Sequence, residues 1–502
     1  MSLKGRWHCI FYIALLCYLL LLQIRAIWPF TIDDMYISLR YAHHWASGIG
    51  LLWNPNSVPV EGYSNFIFVV LGVFAFLVHL DPVITLKITG WLGLVATCLF
   101  IYLMTRLWFS RKESLIPVIW LLLYKGQIIW AVSGLETTVY EALISGSVYF
   151  CYRGMGYLSY PHPKSKANNW CFFFAGVFLT IAALTRPEAP VFMILFGVLM
   201  AWEQHPFISV STIRSAISFS FPIVVVFLPY FLWRWHYFGQ LFPNPVYCKG
   251  FEGNRFALDL NYLKLVWPFL LLSIPACIHS PDKRHYFLWI PSVAYLLMLI
   301  EADTLVAFQN RLFMPAFALI LVLAFQGVSH LLNRYSLKKE MVVGYLFVTV
   351  ILIALLFIPK MSLEEYRYFS EAPLNGEKLR LEVVKWLNTH ATKDATVVIA
   401  DSGLIPYYSP LNFIDSYCLN NAEMTKMPSS NRYEVFCNSI LSQQPTYFIL
   451  TSLIENGEVK YTPSDMCLKK ELVNSNNYKM LNVFSTNSTH SQYRYELFVK
   501  QN

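Results

Sequence analysis

The sequence predicts an α-helical polytopic membrane protein with a soluble α/β domain at its C-terminal end. Three observations predict this fold class. Hydrophobic residues make up 56% of the 502 residues and charged residues only 14%, whereas a soluble domain carries about a quarter charged residues. The mean hydropathy is +0.46. Apolar runs of helical length recur through residues 1–360, and residues 361–502 instead alternate helix and strand patterns.

The first apolar run, residues 9–28, is predicted to be a retained membrane span. Lys4 and Arg6 precede it, as they would precede a signal peptide, but the following "QIRAIWPF" offers no small-residue cleavage site. With this run, about eleven spans of near-membrane length are predicted. The others are 86–104, 114–131, 137–152, 170–185, 188–203, 214–235, 261–279, 286–301, 312–330 and 341–359.

The apolar segment 65–80 is predicted to be a re-entrant or interfacial helix. Its residues would extend about 24 Å as a helix, short of a hydrocarbon core of roughly 30 Å. If it does not span and the N-terminus is cytoplasmic, the short basic loops fall on the cytoplasmic side, as the positive-inside rule expects. They contain Arg106, Arg111, Lys112, Arg153, Lys164, Lys166, Lys283, Arg284, Arg334, Lys338 and Lys339.

The same parity places a second set of loops together on the opposite, extracytoplasmic face. These loops are "TIDDMY", "SGLET", "TRPEAP", "FGQLFPNPVYCKG" and "EADTLVAFQNR". They are rich in acidic and amide residues, so this face is the predicted functional site. The +8 net charge is explained by basic orienting loops and requires no nucleic acid.

Residues 361–502 are predicted to form a soluble domain outside the cytoplasm. The segment "GEKLRLEVVKWLNTH" places Leu379, Val383, Trp386 and Leu387 on one helical face. The segments "ATVVIAD", "LNFIDSY", "PTYFILTS" and "YELFVK" follow as strands. In an oxidising compartment, Cys418, Cys437 and Cys467 could form one disulfide and one free thiol, or remain buried and reduced. The ten cysteines show no metal-type spacing, so no zinc site is predicted.

Asp33 and Asp34 are the candidate catalytic residues. Two adjacent acids beside an apolar span are costly unless they are paired or functional. Arg40, His43 and His44 follow them in the same polar cluster and are candidates for substrate binding. The alternative is that both acids are surface residues at a helix start, where the helix dipole favours negative charge.

Other candidates for substrate binding lie in the same set of loops, and each has a structural alternative. Glu136 could stabilise a helix N-terminus, Arg186 and Glu188 could pair within a proline turn, and Arg311 could anchor at the interface. Asn244 and Lys249 lie in a proline-rich loop. Lys125 lies within the predicted span 114–131, where an intramembrane cation indicates a site unless it snorkels outward.

Carboxylates and cations grouped on one membrane face suit a phosphate-bearing lipid substrate. Cations would bind the phosphate, and a carboxylate would activate an incoming nucleophile. A sugar carried on a polyprenyl phosphate fits this chemistry.

Several motifs resemble the arabinofuranosyltransferase B (AftB) type of GT-C glycosyltransferase. They run in order from about residue 30 to residue 425. The most specific is "DDMYISLRYAHHWASGIGLLWNPNSVPVEGYSNF", which includes Glu61, a further candidate for substrate binding. The others are "SGLETTVYEA", "TRPEAP", "FGQLFPNPVYCK", "NRLFMP" and "ADSGLIPYYSPLNFIDSYCLNN".

The resemblance implies an inverting glycosyltransferase of the bacterial inner membrane, with its active site and C-terminal domain in the periplasm. An acid of the first extracytoplasmic loop would act as or position the base, which carries over to Asp33, with Asp34 as its partner. The donor would be a polyprenyl-phosphate sugar, for which the family name gives arabinofuranose, and the acceptor an envelope glycan, lipid or protein. Where that family usually has a Gly after an "IDxxG"-like stretch, this chain has "IDSYCL". No cofactor is implied, and metal dependence stays open.

Two other classes of function remain open from the sequence. A polytopic transporter or flippase of lipid-linked saccharides would show inverted repeats and broken helices with polar residues near the midplane. A non-catalytic envelope-assembly protein could retain the same fold.

Overall fold

The computed structural model describes most of the chain beyond the first apolar run. The described residues are 21, 24–25, 27–55, 57–162, 164–204, 209–249, 256–279, 282–300, 310–334, 341–352, 363–423, 426, 432–455, 458–486 and 491–501. Most of the predicted span 9–28 lies outside the described residues.

Helices build the membrane domain. In chain order they are α1 (Asp33–Ala46), α2 (Phe66–Leu77), α3 (Pro82–Thr105), α4 (Ile116–Leu123), α5 (Lys125–Val132), α6 (Thr137–Gly154), α7 (Asn169–Thr185), α8 (Ala189–Glu203), α9 (Val210–Pro222), α10 (Leu228–Phe238), α11 (Asn244–Lys249), α12 (Ala257–His279), α13 (Tyr286–Met298), α14 (Met314–Arg334) and α15 (Met341–Leu352). A π-helical turn, Ile223–Phe227, joins α9 to α10. Each predicted span from 86–104 onward coincides with one or two of these helices.

Within the described residues, four helical stretches are long and apolar enough to cross a membrane. They are Pro82–Thr105, Val210–Phe238, Leu258–Ile278 and Asn310–Arg334. A fifth would be the broken pair Glu113–Leu123 and Lys125–Val132. Asn169–Thr185 and Ala189–Glu203 are apolar but shorter. The most apolar 18 residues of Asn310–Arg334 are all buried by neighbouring elements, so this helix lies at the centre of the bundle.

Helix α2 has the short length predicted for segment 65–80. Its 12 residues extend about 18 Å. It packs closely on α1, because a Cβ atom at Gly72 would lie 2.8 Å from the Ala42 Cβ. The small residue at position 72 therefore lets the two helices approach each other.

The predicted span 114–131 is divided into two helices by a break. Helices α4 and α5 meet at a bend of 71°, where Tyr124 adopts an extended conformation (φ −82°, ψ 111°). Lys125 is therefore the first residue of a new helix and is buried there. Hydropathy records apolar character along the segment but not the direction of the backbone, so the break is invisible in the sequence.

The C-terminal domain contains one mixed sheet flanked by helices. Its elements are α16 (Leu363–His390), β1 (Thr396–Ile399), α17 (Leu404–Tyr408), β2 (Asn412–Asp415), α18 (Arg432–Ser442), β3 (Tyr447–Glu455), β4 (Glu458–Tyr461), α19 (Pro463–Asn474), β5 (Tyr478–Ser485) and β6 (Ser491–Lys500). The strand order is β2-β1-β3-β6-β5, and β4 pairs with β3. Strand β1 is parallel to β2 and β3, whereas β6 is antiparallel to β3 and β5. The predicted apolar face of α16 is buried at Leu379, Val383 and Leu387.

The C-terminal domain docks on the first loop helix of the membrane domain. Gly403 and Leu404, which follow β1, donate their backbone N–H groups to the Asp33 carboxylate at 3.0 and 2.9 Å. Arg380 of α16 lies 3.3 Å from the same carboxylate. The contact is close, because a Cβ atom at Gly403 would lie 2.0 Å from the Asp33 carbonyl oxygen.

We expect Gly403→Ala to loosen this docking and lower the stability of the protein. The added methyl group must displace the Asp33 backbone, and such overpacking typically costs about 1–3 kcal/mol. Thermal unfolding of the purified protein in lipid nanodiscs measures the change. The control is Gly376→Ala in α16, where a new Cβ would lie 3.4 Å from the flexible Arg380 guanidinium. Alanine favours a helix over glycine by about 0.5–1 kcal/mol, so this variant should keep or raise the unfolding temperature. Equal unfolding temperatures for the two variants would contradict the docking contact.

Candidate active site

A cavity of about 500 Å³ opens at the end of the helical bundle that faces the C-terminal domain. One part of its wall is polar and another part is apolar. The polar lining residues are Asp34, Ser38, Ser64, Asn65, Glu136, Arg186, Glu188 and Arg311. The apolar and aromatic lining residues include Ile37, Tyr63, Leu135, Val191, Phe242, Pro245, Val246, Tyr247, Met298, Leu299, Leu312 and Leu419. Such a cavity suits an amphiphilic ligand with a charged head.

Glu136 and Arg186 form the centre of the polar wall. Arg186 Nη1 donates to Glu136 Oε1 at 2.6 Å, and Arg186 Nε donates to Glu188 Oε1 at 2.5 Å. The other Glu136 oxygen accepts a hydrogen bond from Asn65 Nδ2 at 2.9 Å. Ser38 in turn donates to Asn65 Oδ1 at 2.8 Å. The network ties α1, the loop before α2, α6 and the α7–α8 turn into one wall.

The charges of this network are fixed by mutual pairing. Burial by itself would raise the pKa of Glu136, but Arg186 and Arg311 outweigh it and hold the pKa below its usual value. Burial would also lower the pKa of Arg186, but Glu188 and Glu136 outweigh it and raise the pKa above its usual value. Glu136 therefore remains a carboxylate and is a weak base, and Arg186 remains a cation whose charge is already balanced.

Arg311 is the lining cation whose donors are not taken up by ion pairs among the described residues. It is 9% exposed, and its buried Nε has no hydrogen-bond partner in the described part of the chain. Its guanidinium lies 5.2 Å from the ring centre of Trp130. The charges of Asp34, Glu136 and Glu188 all act on it. Arg311 is therefore the lining cation with a donor available to an anion that enters the cavity.

Asp33 and Asp34 are separated by the structure. Asp34 lines the cavity, whereas Asp33 is not among the described lining residues and contacts the C-terminal domain instead. Burial, partly offset by Arg380, raises the pKa of Asp33 to about 6. Arg380 also pairs with Asp401 at 2.9 Å, and Asp401 accepts hydrogen bonds from Tyr493 and Tyr495. Asp33 is therefore part of an interdomain charge cluster.

Three other candidates on α1 contact neighbouring segments of the protein. Arg40 is buried and donates to the carbonyl oxygens of Trp53, Pro406 and Leu411, which again join the two domains. His44 is buried and its Nδ1 lies 2.7 Å from the Leu52 carbonyl oxygen. His43 is exposed and packs edge-to-face on Phe76. None of the three is among the described lining residues of the cavity, and their role in substrate binding stays a prediction.

Glu61 and Asn244 also hold segments of the protein together. Glu61 forms a buried ion pair with Arg234 at 2.7 Å. Burial, partly offset by Arg234, raises the pKa of Glu61 to about 7. The Glu61 carbonyl oxygen accepts a hydrogen bond from the Asn244 N–H at 3.0 Å. The Asn244 side chain donates to C-terminal-domain carbonyls, so both residues position the loops that form the cavity wall.

The two predicted lysines do not appear in the described lining. Lys125 is buried at the start of α5. Lys249 ends α11, and its side chain lies outside the described residues. Within the described ranges, no group of three or more His, Cys, Asp or Glu residues is arranged to hold a metal ion.

Sequence reasoning missed four contributors to this region. Asn65 lay inside the quoted first motif, "EGYSNF", and could have been found there. Arg380, Asp401 and Arg234 gave no signal, because their partners are distant in sequence. The disulfide joins Cys248 to Cys418 across 170 residues. Cys437 and Cys467 are free thiols. Of the two alternatives left open by the sequence, these two cysteines follow the reduced one, and Cys418 pairs with a cysteine of the membrane domain that was not considered.

The helical bundle, its end-facing cavity and the attached α/β domain define the class of structure. The protein has the fold of the GT-C membrane glycosyltransferases.

Particular structures show this likeness along nearly the whole chain. ArnT from Cupriavidus metallidurans in the apo state has a TM-score of 0.58 and 14% identity, and 99% of this chain and 98% of that chain are covered. The same enzyme bound to undecaprenyl phosphate has a TM-score of 0.56 and 13% identity, with 98% of each chain covered. The oligosaccharyltransferase AglB from Archaeoglobus fulgidus, in complex with an inhibitory peptide and a dolichol-phosphate, has a TM-score of 0.54 and 12% identity, with 97% and 80% covered. At these identities the likeness shows the fold.

Comparison of sequences adds one match. Residues 365–498 match a domain of unknown function, DUF8728. No curated protein matches the sequence. The AftB-type resemblance and the domain boundary at residues 360 and 361 stay predictions.

Proposed function

We propose that the protein transfers a sugar from a polyprenyl-phosphate donor to an acceptor of the cell envelope. The observation that carries the proposal is the amphiphilic cavity with Arg311 in its wall, whose buried Nε has no partner among the described residues. Arginine binds phosphate oxygens through several donors at once. Val191, Met298 and Leu299 would contact the first part of the lipid chain. The structural neighbours bound to undecaprenyl phosphate and dolichol-phosphate support a ligand of this class.

The lining residues have distinct roles in this reaction. Arg311 binds the phosphate and stabilises the charge that develops as the sugar–oxygen bond breaks. Arg186, whose charge is balanced by Glu136 and Glu188, holds these two carboxylates in place beside Arg311. The acceptor's hydroxyl oxygen attacks the anomeric carbon of the sugar, and Asp34 takes the proton of that hydroxyl. The polyprenyl phosphate leaves with the electron pair of the broken bond. This single displacement inverts the configuration at the anomeric carbon.

Asp34 replaces Asp33 as our candidate base because of its position. It lines the cavity, and its charge acts on Arg311, which would hold the phosphate. The carboxylate of Asp33 instead accepts hydrogen bonds from the backbone N–H groups of Gly403 and Leu404. Glu136 is held below its usual pKa by two arginines and is the poorer base.

The same proposal includes a location in the bacterial inner membrane, with the cavity facing the periplasm. The Cys248–Cys418 disulfide supports this orientation, because disulfides persist in oxidising compartments. The C-terminal domain and the cavity lie at the same end of the bundle, which agrees with the predicted distribution of basic loops. The donor sugar and the acceptor (glycan, lipid or protein) are left open by this cavity.

One observation favours a second candidate function, the movement of a lipid-linked saccharide across the membrane. The helix break between α4 and α5, with Lys125 buried beside it, is a feature of transporters with discontinuous helices. A transporter would move the donor intact, whereas a transferase would cleave it.

The test uses the full-length protein in nanodiscs with undecaprenyl phosphate and then with undecaprenyl-phosphate sugars. We expect undecaprenyl phosphate to bind in the micromolar range, roughly −8 kcal/mol, and to compete with the sugar-bearing lipid. Release of undecaprenyl phosphate with label transfer to isolated envelope fractions would identify the transferase. Flipping of an uncleaved lipid in proteoliposomes would favour the transporter, and no binding of undecaprenyl phosphate would refute both.

A further inference from the structure

The loop 418–421 of the C-terminal domain is held by the membrane domain at several points. Asn244 Nδ2 donates to the carbonyl oxygens of Cys418 at 2.5 Å, of Leu419 at 3.1 Å and of Asn421 at 3.1 Å. Cys248, one helical turn after Asn244, forms the disulfide with Cys418. We call this set of contacts from Asn244 and Cys248 the clasp.

Two further segments of the membrane domain contact loop 418–421. Tyr41 of α1 donates its hydroxyl to Asn420 Oδ1 at 3.2 Å. At Gly62 a Cβ atom would lie 1.8 Å from the same Asn420 oxygen, so the glycine makes room for the loop. The surface that Tyr41 and Gly62 form therefore fits loop 418–421 in one position.

The clasp brings one C-terminal residue into the wall of the cavity. Leu419 lies between two residues held by the membrane domain, and it is one of the residues that line the cavity. It is 5% exposed. Among the described lining residues, it is the one that the C-terminal domain contributes.

The two substrates would reach this cavity from different sides. A lipid-linked donor must come from the bilayer, along the apolar helices α8 and α13 that contribute Val191 and Met298. An acceptor must come from the aqueous side, where the soluble domain lies. Leu419 belongs to the soluble domain, so it faces the acceptor's path.

We propose that Leu419 forms the acceptor-side wall of the cavity, and that Asn244 and the Cys248–Cys418 disulfide position it. Asn244 is a positioning residue, because it acts through the loop. The role toward an acceptor rests on the proposed function. The role as a wall rests on the contacts alone.

The wall is tested by the reactivity of a cysteine placed inside the cavity. Ser64→Cys introduces a thiol in the lining, and a membrane-impermeant maleimide reports its access to water. Labelling of the parent protein without Ser64→Cys gives the background from native cysteines. We expect labelling to rise about tenfold with Asn244→Ala, because the loop loses the hydrogen bonds that Asn244 donates to it. We expect a similar rise with the pair Cys248→Ser and Cys418→Ser, because the loop loses its covalent link to the membrane domain.

The matched control for labelling is Asn388→Ala. Asn388 also donates to a backbone carbonyl, that of Tyr408, but at an exposed site away from the cavity. It should leave the labelling of Ser64→Cys unchanged. Unchanged labelling in both clasp variants would overturn the proposal that the clasp holds Leu419 as a wall of the cavity.

The acceptor side is tested by Leu419→Trp in the full-length protein. We expect binding of undecaprenyl phosphate within about twofold of wild type, and label transfer to envelope fractions reduced by at least about tenfold, because the larger ring fills the acceptor's path. If undecaprenyl phosphate binding falls in parallel with transfer, Leu419 faces the lipid instead and the assignment is overturned. If the wild type does not bind undecaprenyl phosphate, the proposed function fails, while the labelling result still decides the wall.

Discussion

Replacing Asp34 by Asn is expected to abolish sugar transfer while leaving binding of undecaprenyl phosphate intact. The substitution keeps the shape of the side chain and removes the carboxylate that would accept the acceptor's proton. General-base catalysis is typically worth about 10² to 10⁴ in rate, so this is the expected loss. Binding of undecaprenyl phosphate should persist, because the lining cation Arg311 is untouched. The measurement is label transfer from an undecaprenyl-phosphate sugar, alongside equilibrium binding of undecaprenyl phosphate.

The adjacent substitution Asp33→Asn is the matched control. It makes the same chemical change one residue earlier, at the contact with Gly403 and Leu404. We expect a lower unfolding temperature and a loss of transfer below about tenfold, since the removed contacts hold the domains together and are worth about 1–3 kcal/mol. The reverse ranking, with Asp33→Asn inactive and Asp34→Asn active, would return the role of base to Asp33.

Arg311→Ala is expected to lower the affinity for undecaprenyl phosphate by about 10- to 100-fold, because a hydrogen bond to a charged group contributes roughly 1.5–3 kcal/mol. Arg311 is the lining arginine whose Nε has no partner among the described residues, whereas Arg186 is already paired with Glu136 and Glu188. Arg311→Lys should recover part of the affinity, since it restores the charge without the planar fork of donors. Titration with undecaprenyl phosphate measures the affinity of the wild type, of Arg311→Ala and of Arg311→Lys.

The control for this pair is Arg106→Ala. Arg106 bonds the carbonyl oxygens of Phe109 and Tyr160 in loops that do not line the cavity. Its loss should leave the affinity for undecaprenyl phosphate unchanged. An Arg311→Ala protein with wild-type affinity would show that the phosphate binds elsewhere.

The sequence by itself determined the class of structure and the region of the site. Hydropathy is a local property, and it located helices such as α3, α7 and α14. The distribution of basic loops then indicated which loops share a face. Five candidates chosen in this way, Asp34, Glu136, Arg186, Glu188 and Arg311, do line one cavity.

Only the tertiary structure decided how the candidate residues divide their roles. Asp33 and Asp34 are neighbours in sequence but point about 100° apart on a helix, so one contacts the C-terminal domain and the other the cavity. Arg40 and Glu61 resembled binding residues by type, but each is used in a buried structural contact. Cys248 and Cys418 meet across 170 residues. These pairings depend on how distant segments pack, and neither composition nor periodicity encodes which distant partner a buried charge or thiol will meet.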